Sequence, residues 1–132
     1  MITGLELLSL GVGMKIWLPI LMSITLLSCA NKPDNNSLVD AEKLYFKNWT
    51  LSRCLSEIAT NQSQKQDALN TASSYLEISS MPIEAFSSAD ELVKMFLAKN
   101  YSGSTQGTFN TKKCIDLFHS EELEKLYQSL AN

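Results

Sequence analysis

The chain has 132 residues and a net charge of −3, with 11 Lys and Arg against 14 Asp and Glu. Its length leaves room for one domain. Lys112-Lys113 is the only basic cluster, which argues against nucleic-acid binding because that function needs an extended positive surface.

The N-terminal segment has the layout of a signal peptide. Residues 16–28 are apolar and follow Lys15. A run of this length is shorter than the about 20 residues that a membrane-spanning helix needs, so a retained transmembrane helix is the less favoured alternative. Residues 1–28 are therefore predicted to be a cleaved signal peptide. Met14 is an alternative start, because residues 1–13 carry no positive charge.

Two processing routes fit the end of this segment. Residues 26–29, Leu-Leu-Ser-Cys, resemble a bacterial lipobox, in which Cys29 is lipidated and becomes the first mature residue. Ala30, rather than an aspartate, follows that cysteine, which by resemblance to bacterial lipoproteins implies sorting to the outer membrane. The alternative is cleavage after Ala30, which would release a soluble protein. Lipidation is favoured, and both routes place the mature chain in the periplasm.

The cysteine content predicts one disulfide bond. Both processing routes remove Cys29 from pairing and leave Cys54 and Cys114 as an even pair in an oxidising compartment. A bond between them closes 60 residues and would stabilise the fold by about 4 kcal/mol in the chain-entropy model. The alternative is a pair of buried free thiols.

The mature chain is predicted to consist of a tether and a helical domain. Residues 31–37 are polar and lack periodicity, so residues 29–38 are predicted to be a flexible tether. Apolar residues recur at helical spacing through residues 39–132. The first helix is expected over about 39–59. Among the aromatic residues of the domain, Trp49 in this helix and Tyr101 in a later loop are expected to be partly exposed. The buried stripe of the first helix is expected to contain the aliphatic residues Leu44, Leu51, Leu55 and Ile58, with Cys54 on the same face. Tyr45 and Trp49, one turn apart, are expected to widen this stripe.

Polar signals divide the rest of the domain. Residues 63–66 form a capping box that would start the second helix, and Pro82 suits the first position of a third helix over 82–99. A break inside that third helix is an alternative. The uncharged segment 100–110 is predicted to be an exposed loop. Ser120 is expected to cap a fifth helix, after a short fourth one. No segment alternates with a period of two, so the predicted fold is an all-α, compact single domain of four to five helices.

No pattern in the sequence predicts catalysis. Cys114 and His119 lie five residues apart, about 140° around a helix, so they do not share a face for nucleophilic chemistry. The favoured interpretation places His119 at a helix C-terminus and Asp116 at an exposed or capping position. A single histidine without a Cys-x-x-Cys motif predicts no metal site, and no glycine-rich turn predicts a cofactor. The chain is predicted not to be an enzyme.

Five ordered blocks of the sequence resemble the immunity proteins of type VI secretion amidase effectors. The resemblance covers about residues 48–130, in blocks at 48–54, 70–77, 82–85, 99–104 and 113–120. It implies a small, exported, all-α protein that forms a homodimer. It also implies a cognate partner, a papain-like Cys-His amidase that cuts the peptide stems of peptidoglycan, and inhibition by occlusion of its cleft.

The loop before the fourth helix is the predicted contact with that amidase. Gly103 and its neighbouring serines are slim enough for a cleft shaped to hold a peptide, and Tyr101 is suited to anchor the base of the loop. The acidic third helix, with Glu84, Asp90 and Glu91, is the next candidate. The predicted effector-binding residues are Tyr101, Ser102, Gly103, Ser104, Thr105 and Gln106.

A second class of function also fits the residues. Without the resemblance, a small helical, disulfide-tied protein of the envelope would be interpreted as a non-catalytic lipoprotein that acts as a scaffold or accessory subunit. An inhibitor is expected to depend on the loop over residues 101–109 and to bind one enzyme tightly. A scaffold is expected to tolerate changes in that loop.

Overall fold

The structure is a computed structural model that describes residues 35–131. This part of the chain forms no β-strand and contains five helices: α1 (Asn35–Ile58), α2 (Gln62–Ile78), α3 (Ile83–Leu97), α4 (Asn110–Phe118) and α5 (Glu121–Leu130). The prediction of an all-α fold is confirmed. The predicted signal peptide and Cys29 lie outside the described residues. No helix within 35–131 is long and apolar enough to span a bilayer.

The first helix begins earlier than expected. α1 starts at Asn35, so residues 35–38, which the sequence predicted to be part of the tether, are helical. These four residues are all exposed. Because none of them is buried, the hydrophobic periodicity that placed the start at residue 39 carries no signal for this turn.

The buried face of α1 differs from the predicted aliphatic stripe. Leu44 is 50% exposed and Leu55 is 39% exposed, so their predicted burial is wrong. Cys54 faces the core as predicted, and the aromatic residues Phe46 and Trp49 are buried beside it. The predicted partial exposure of Trp49 is also wrong, because its indole packs edge-on against a phenylalanine of α3 at a centroid distance of 4.9 Å.

α1 and α2 form an antiparallel pair. Their far ends meet where the rings of Tyr45 and Tyr75 approach to 6.4 Å. At the near end the cap of α2 is Asn61, whose side chain accepts a hydrogen bond of 2.9 Å from the backbone of Gln64. The predicted start at the Ser63 capping box is therefore wrong, because the asparagine two residues earlier already satisfies a free N–H of the first turn.

α3, α4 and α5 close the core over α1. The ring of Phe46 lies 5.8 Å from that of Phe86 and 5.9 Å from that of Tyr127. α3 is continuous, so the alternative break inside it does not occur, and Pro82 is its N-cap rather than its first residue. Ser120 caps α5 as expected, because its hydroxyl accepts a 3.1 Å hydrogen bond from the backbone of Leu123.

A disulfide bond joins the first helix to the fourth. Cys54 and Cys114 are both fully buried, with their Cα atoms 5.6 Å apart. The predicted pairing is confirmed. α4 is only nine residues long, and this bond anchors it to the longest helix of the fold.

Candidate functional site

The α3–α4 loop, defined as residues 98–109, contains the six residues predicted to contact an effector. Residues 102–108 are exposed, and Tyr101 is half-buried, as expected. After Lys99 the loop has no charged side chain. The predicted exposed loop is therefore confirmed, and its surface consists of small and polar groups.

Asp116 of α4 holds the first end of the loop. The hydroxyl of Tyr101 donates a 2.8 Å hydrogen bond to Oδ2 of Asp116, and Nζ of Lys112 donates one of 2.6 Å to the same oxygen. The bonds from Lys112 and Tyr101 hold the pKa of the Asp116 carboxyl below its usual value. The same carboxylate raises the pKa of the Tyr101 hydroxyl. The expected role of Asp116 as an exposed or capping residue is thus replaced by a contact across 15 residues.

Phe109 forms the second end of the loop. It has φ 53° and ψ 29°, the left-handed region, and is the only non-glycine residue with positive φ in the described part of the chain. A Cβ added to Gly103 would lie 3.3 Å from Cζ of Phe109, so the ring covers the glycine closely. The carbonyl of Phe109 accepts a 2.9 Å hydrogen bond from the backbone of Lys113, which joins it to the first turn of α4.

Two further contacts fix α4, the helix that holds both ends of the loop. Nζ of Lys113 donates a 2.8 Å hydrogen bond to the carbonyl of Leu97 at the end of α3, and the residue is only 7% exposed. The neighbouring Cys114 is tied to α1 by the disulfide. The sequence singled out this lysine only as part of a basic pair, because nothing local indicates that its side chain caps another helix.

The acidic face of α3 is largely neutralised within the chain. Nε and Nη2 of Arg53 donate hydrogen bonds of 2.8 and 3.2 Å to the two carboxylate oxygens of Asp90, and this contact raises the pKa of Arg53. Nζ of Lys94 lies 2.7 Å from Glu91. Glu84 is exposed in the first turn. This face presents less free charge to a partner than the sequence suggested.

A groove of ≈ 690 Å³ lies between the start of α1, the α2–α3 corner and the end of α5. Its one carboxylate, Glu42, accepts hydrogen bonds from the hydroxyls of Ser79 and Ser80 and one of 3.0 Å from the backbone of Ser80. Its rim includes the exposed apolar residues Leu38 and Ile78. The groove thus brings no reactive groups together.

In the described residues, Cys114 and His119 do not form a nucleophile–base pair. Cys114 is in a disulfide and so is not a free thiol for His119 to activate. His119 is exposed at the C-cap of α4, as expected, where its backbone N–H donates a 3.2 Å hydrogen bond to Ile115. Residues 35–131 contain no cluster of three or more His, Cys, Asp or Glu side chains that could hold a metal ion.

Several solved structures are similar to this chain. A chain of the Tae4/Tai4 effector–immunity system from Salmonella typhimurium is 39% identical, with a TM-score of 0.62, over 66% of this chain and 86% of that chain. A chain of the Tae4–Tai4 complex from Enterobacter cloacae is 33% identical, with a TM-score of 0.60, over 64% and 87%. A chain of the type VI-secreted toxins and self-resistance proteins of Serratia marcescens is 25% identical, with a TM-score of 0.63, over 74% and 82%.

The sequence itself matches a family model. A search of curated proteins found no match. The model of Tai4, described as the type VI secretion system (T6SS) amidase immunity protein, matches residues 44–127. The matched range includes the whole α3–α4 loop and both cysteines of the disulfide. The chain therefore belongs to the Tai4 family of type VI secretion amidase immunity proteins.

Proposed function

We propose that this protein binds and inhibits a cognate type VI secreted peptidoglycan amidase by placing its α3–α4 loop in the Cys-His active-site cleft of that enzyme. Family membership makes the chain an immunity protein rather than an enzyme. Relatives with the same fold come from complexes of Tae4 effectors with Tai4 immunity proteins. The single observation that carries cleft occlusion is an exposed loop, without charge after Lys99, whose two ends are both held by α4.

The shape of the loop supports insertion into a cleft. Residues 102–108 are exposed, and six of these seven side chains are glycine, serine or threonine. Such a segment is narrow, and its backbone groups are available to pair with a cleft that binds a peptide stem. Tyr101 at the base offers a half-buried aromatic ring of the kind enriched at the centre of interfaces.

The proposed place of action is the periplasm, with Cys29 as a lipid anchor to the outer membrane. Residues 1–28 would be removed as the signal peptide, and residues 29–34 would link the anchor to α1. The fully buried Cys54–Cys114 bond supports an oxidising compartment. Radiolabelled fatty acid incorporated by the wild type and absent from a Cys29→Ala variant would establish the anchor; equal absence from both would contradict it.

The protein is further proposed to form a homodimer. Large apolar side chains remain exposed in the described part of the chain, among them Ile83 at 61% and Met95 at 64%. Exposed apolar surface of this kind is typical of interaction sites. Sedimentation equilibrium of the periplasmic form distinguishes a dimer from a monomer, and a single species of monomer mass at micromolar concentration would contradict the proposal.

Binding to the amidase of the same bacterium tests the main proposal. The exported protein, carrying Cys29→Ala to keep it soluble, is mixed with the amidase in a calorimeter and in a peptidoglycan digestion assay. We expect tight binding and loss of digestion. Ser104→Arg adds bulk and charge to the loop and is expected to weaken binding by roughly 30-fold or more, the effect of losing an interface hot spot.

Ser73→Arg is the matched control for this substitution. Ser73 is an exposed serine on α2, so the same change there alters the net charge equally without altering the loop. Its binding is expected to equal that of the wild type. Equal affinity of the Ser104→Arg variant would exclude the loop as the contact. Absence of binding by the wild type, with full digestion, would return the protein to the scaffold class.

A further inference from the structure

We infer that Asp116 is a positioning residue for inhibition: it acts through Tyr101 and, together with Phe109, fixes the shape of the α3–α4 loop before the amidase arrives. This inference rests on the proposed function of the loop. It assigns to residues of α4 a role in affinity that requires no contact with the enzyme. The loop is then a preformed element rather than a segment that orders on binding.

The Tyr101 end is fixed by several contacts that converge on one ring. Its hydroxyl is bonded to Asp116 at 2.8 Å, a hydrogen bond to a charged acceptor and therefore stronger than one between neutral groups. Nζ of Lys112 lies 5.1 Å and Nζ of Lys113 lies 5.9 Å from the ring centroid. These contacts join the start of the loop to α4, which follows the loop in the sequence.

The Phe109 end is fixed by an unusual backbone conformation. Left-handed φ and ψ are uncommon for an aromatic residue, and such conformations persist where surrounding contacts determine them. Here the phenylalanine ring lies against Gly103, where the absence of a Cβ allows the close approach. The ring therefore keeps Gly103 close to the start of α4, because Phe109 is the last residue of the loop and directly precedes that helix.

The helix that holds both ends of the loop, α4, is itself fixed to two other helices. α4 is joined to α1 through Cys114 and to the end of α3 through Lys113, as described above. A loop held in this way has fewer conformations to lose when it enters a cleft. If a free loop populates the binding-competent shape only in part, the apparent affinity falls by that fraction, and the loss appears mainly in the association rate.

Substitutions at the Tyr101–Asp116 contact test this role. Tyr101→Phe removes only the hydroxyl and keeps the ring, whereas Asp116→Ala removes the acceptor. Each is expected to weaken binding to the amidase that binds the wild type by about tenfold, with a slower association rate, because one charge-assisted hydrogen bond is lost. The double variant is expected to lose no more than Asp116→Ala alone, since Asp116→Ala already removes the contact that Tyr101→Phe removes. Asp116→Asn keeps a neutral acceptor and is expected to restore part of the affinity.

Hydrogen exchange of the unbound protein separates positioning from a general loss of stability. Tyr101→Phe and Asp116→Ala are expected to raise amide exchange in residues 101–109 while exchange in α1, α3 and α5 stays at the wild-type rate. Glu121→Ala is the matched control, because it removes the partner of an exposed ion pair, 3.2 Å from Lys125, on another helix. Its loop exchange and its amidase affinity are both expected to equal those of the wild type.

The outcomes distinguish this inference from the proposed function. If the wild type and Asp116→Ala bind the amidase equally, the positioning role is wrong and the immunity function stands. If Asp116→Ala raises exchange in all helices alike, Asp116 serves stability alone and the inference is also wrong. If the wild type itself does not bind, the proposed function fails, and this inference fails with it.

Discussion

Glu42 shows how one side chain can hold a corner of the fold. Burial raises the pKa of its carboxyl, but the hydrogen bonds from Ser79, Ser80 and the backbone at Met81 together hold that pKa below its ordinary value. The contact spans 37 and 38 residues, so it joins the start of α1 to the α2–α3 corner. No sequence pattern around a lone glutamate on a helix indicates such a distant partner.

The stability of this corner is expected to depend on pH. Because the pKa of Glu42 is lower in the folded than in the unfolded protein, its contribution is present above the unfolded pKa and is lost as pH falls through the folded one. The Glu42→Gln variant is therefore expected to lose less unfolding free energy than the wild type between pH 7 and pH 3. Urea denaturation at several pH values measures this difference, and identical pH dependence of the two proteins would contradict it.

Local sequence patterns predicted the residues of the loop but not the residues that hold the loop in place. Tyr101 and Gly103 were predicted as contact residues from their own chemistry, and the structure places both in the exposed loop. The residues that hold them, Asp116 and Phe109, were not singled out for this role. Their partners lie 15 and six residues away in a segment without periodicity, so only the folded chain brings these groups together.

At the scale of the element, the sequence predicted the start of α5 correctly but not the start of α2. Ser120 was recognised as the cap of α5, with Glu121 and Glu122 in the first turn, where the helix dipole favours acids. For α2 the sequence predicted a start at the Ser63 capping box. The structure selects Asn61, because the helix begins at Gln62 and its first free N–H groups face the asparagine side chain.

Substitution of the observed cap, Asn61, and of the predicted cap, Ser63, is expected to give different results. Asn61→Ala removes the hydrogen bond to Gln64 and is expected to lower the unfolding free energy by about 1 kcal/mol. Ser63→Ala changes a residue inside the first turn and is expected to leave stability within about 0.5 kcal/mol of the wild type. Chemical denaturation followed by circular dichroism measures both. A larger loss in the Ser63→Ala variant would restore the capping box as the start of α2.

At the scale of the whole molecule, one covalent bond links α1 in the core to α4, the helix that holds the loop. The sequence predicted the pairing because the signal segment was expected to remove Cys29, which leaves a single possible bond. Cys54 lies in the predicted first helix, and Cys114 lies in the short fourth one between the predicted loop and Ser120, so the predicted bond also ties the first helix to the fourth. Both expectations hold, and the structure adds that the bridged helix is the one that carries Asp116 and begins directly after Phe109.

Loss of the disulfide is expected to destabilise the whole domain. The Cys54→Ala, Cys114→Ala double variant is expected to lose about 4 kcal/mol of unfolding free energy, because its unfolded chain is no longer restrained by a 60-residue closed segment. Cys29→Ala is the matched control and is expected to match the wild type. Thermal and urea unfolding of the three proteins measure the effect, and a loss below about 1 kcal/mol would contradict the restraint.

The sequence by itself determined the helical class, the position of the exposed loop, the cysteine pairing and the resemblance to amidase immunity proteins, which the family match confirms. These features depend on local periodicity, on turn residues and on which cysteines can pair. Only the tertiary structure decided which face of α1 is buried. Periodicity predicts a helix, but apolar residues lie on more than one of its faces, and packing against α3 selects Phe46 and Trp49 over Leu44. The anchoring of the loop was likewise decided by contacts between distant residues, which exist only once α4 has packed.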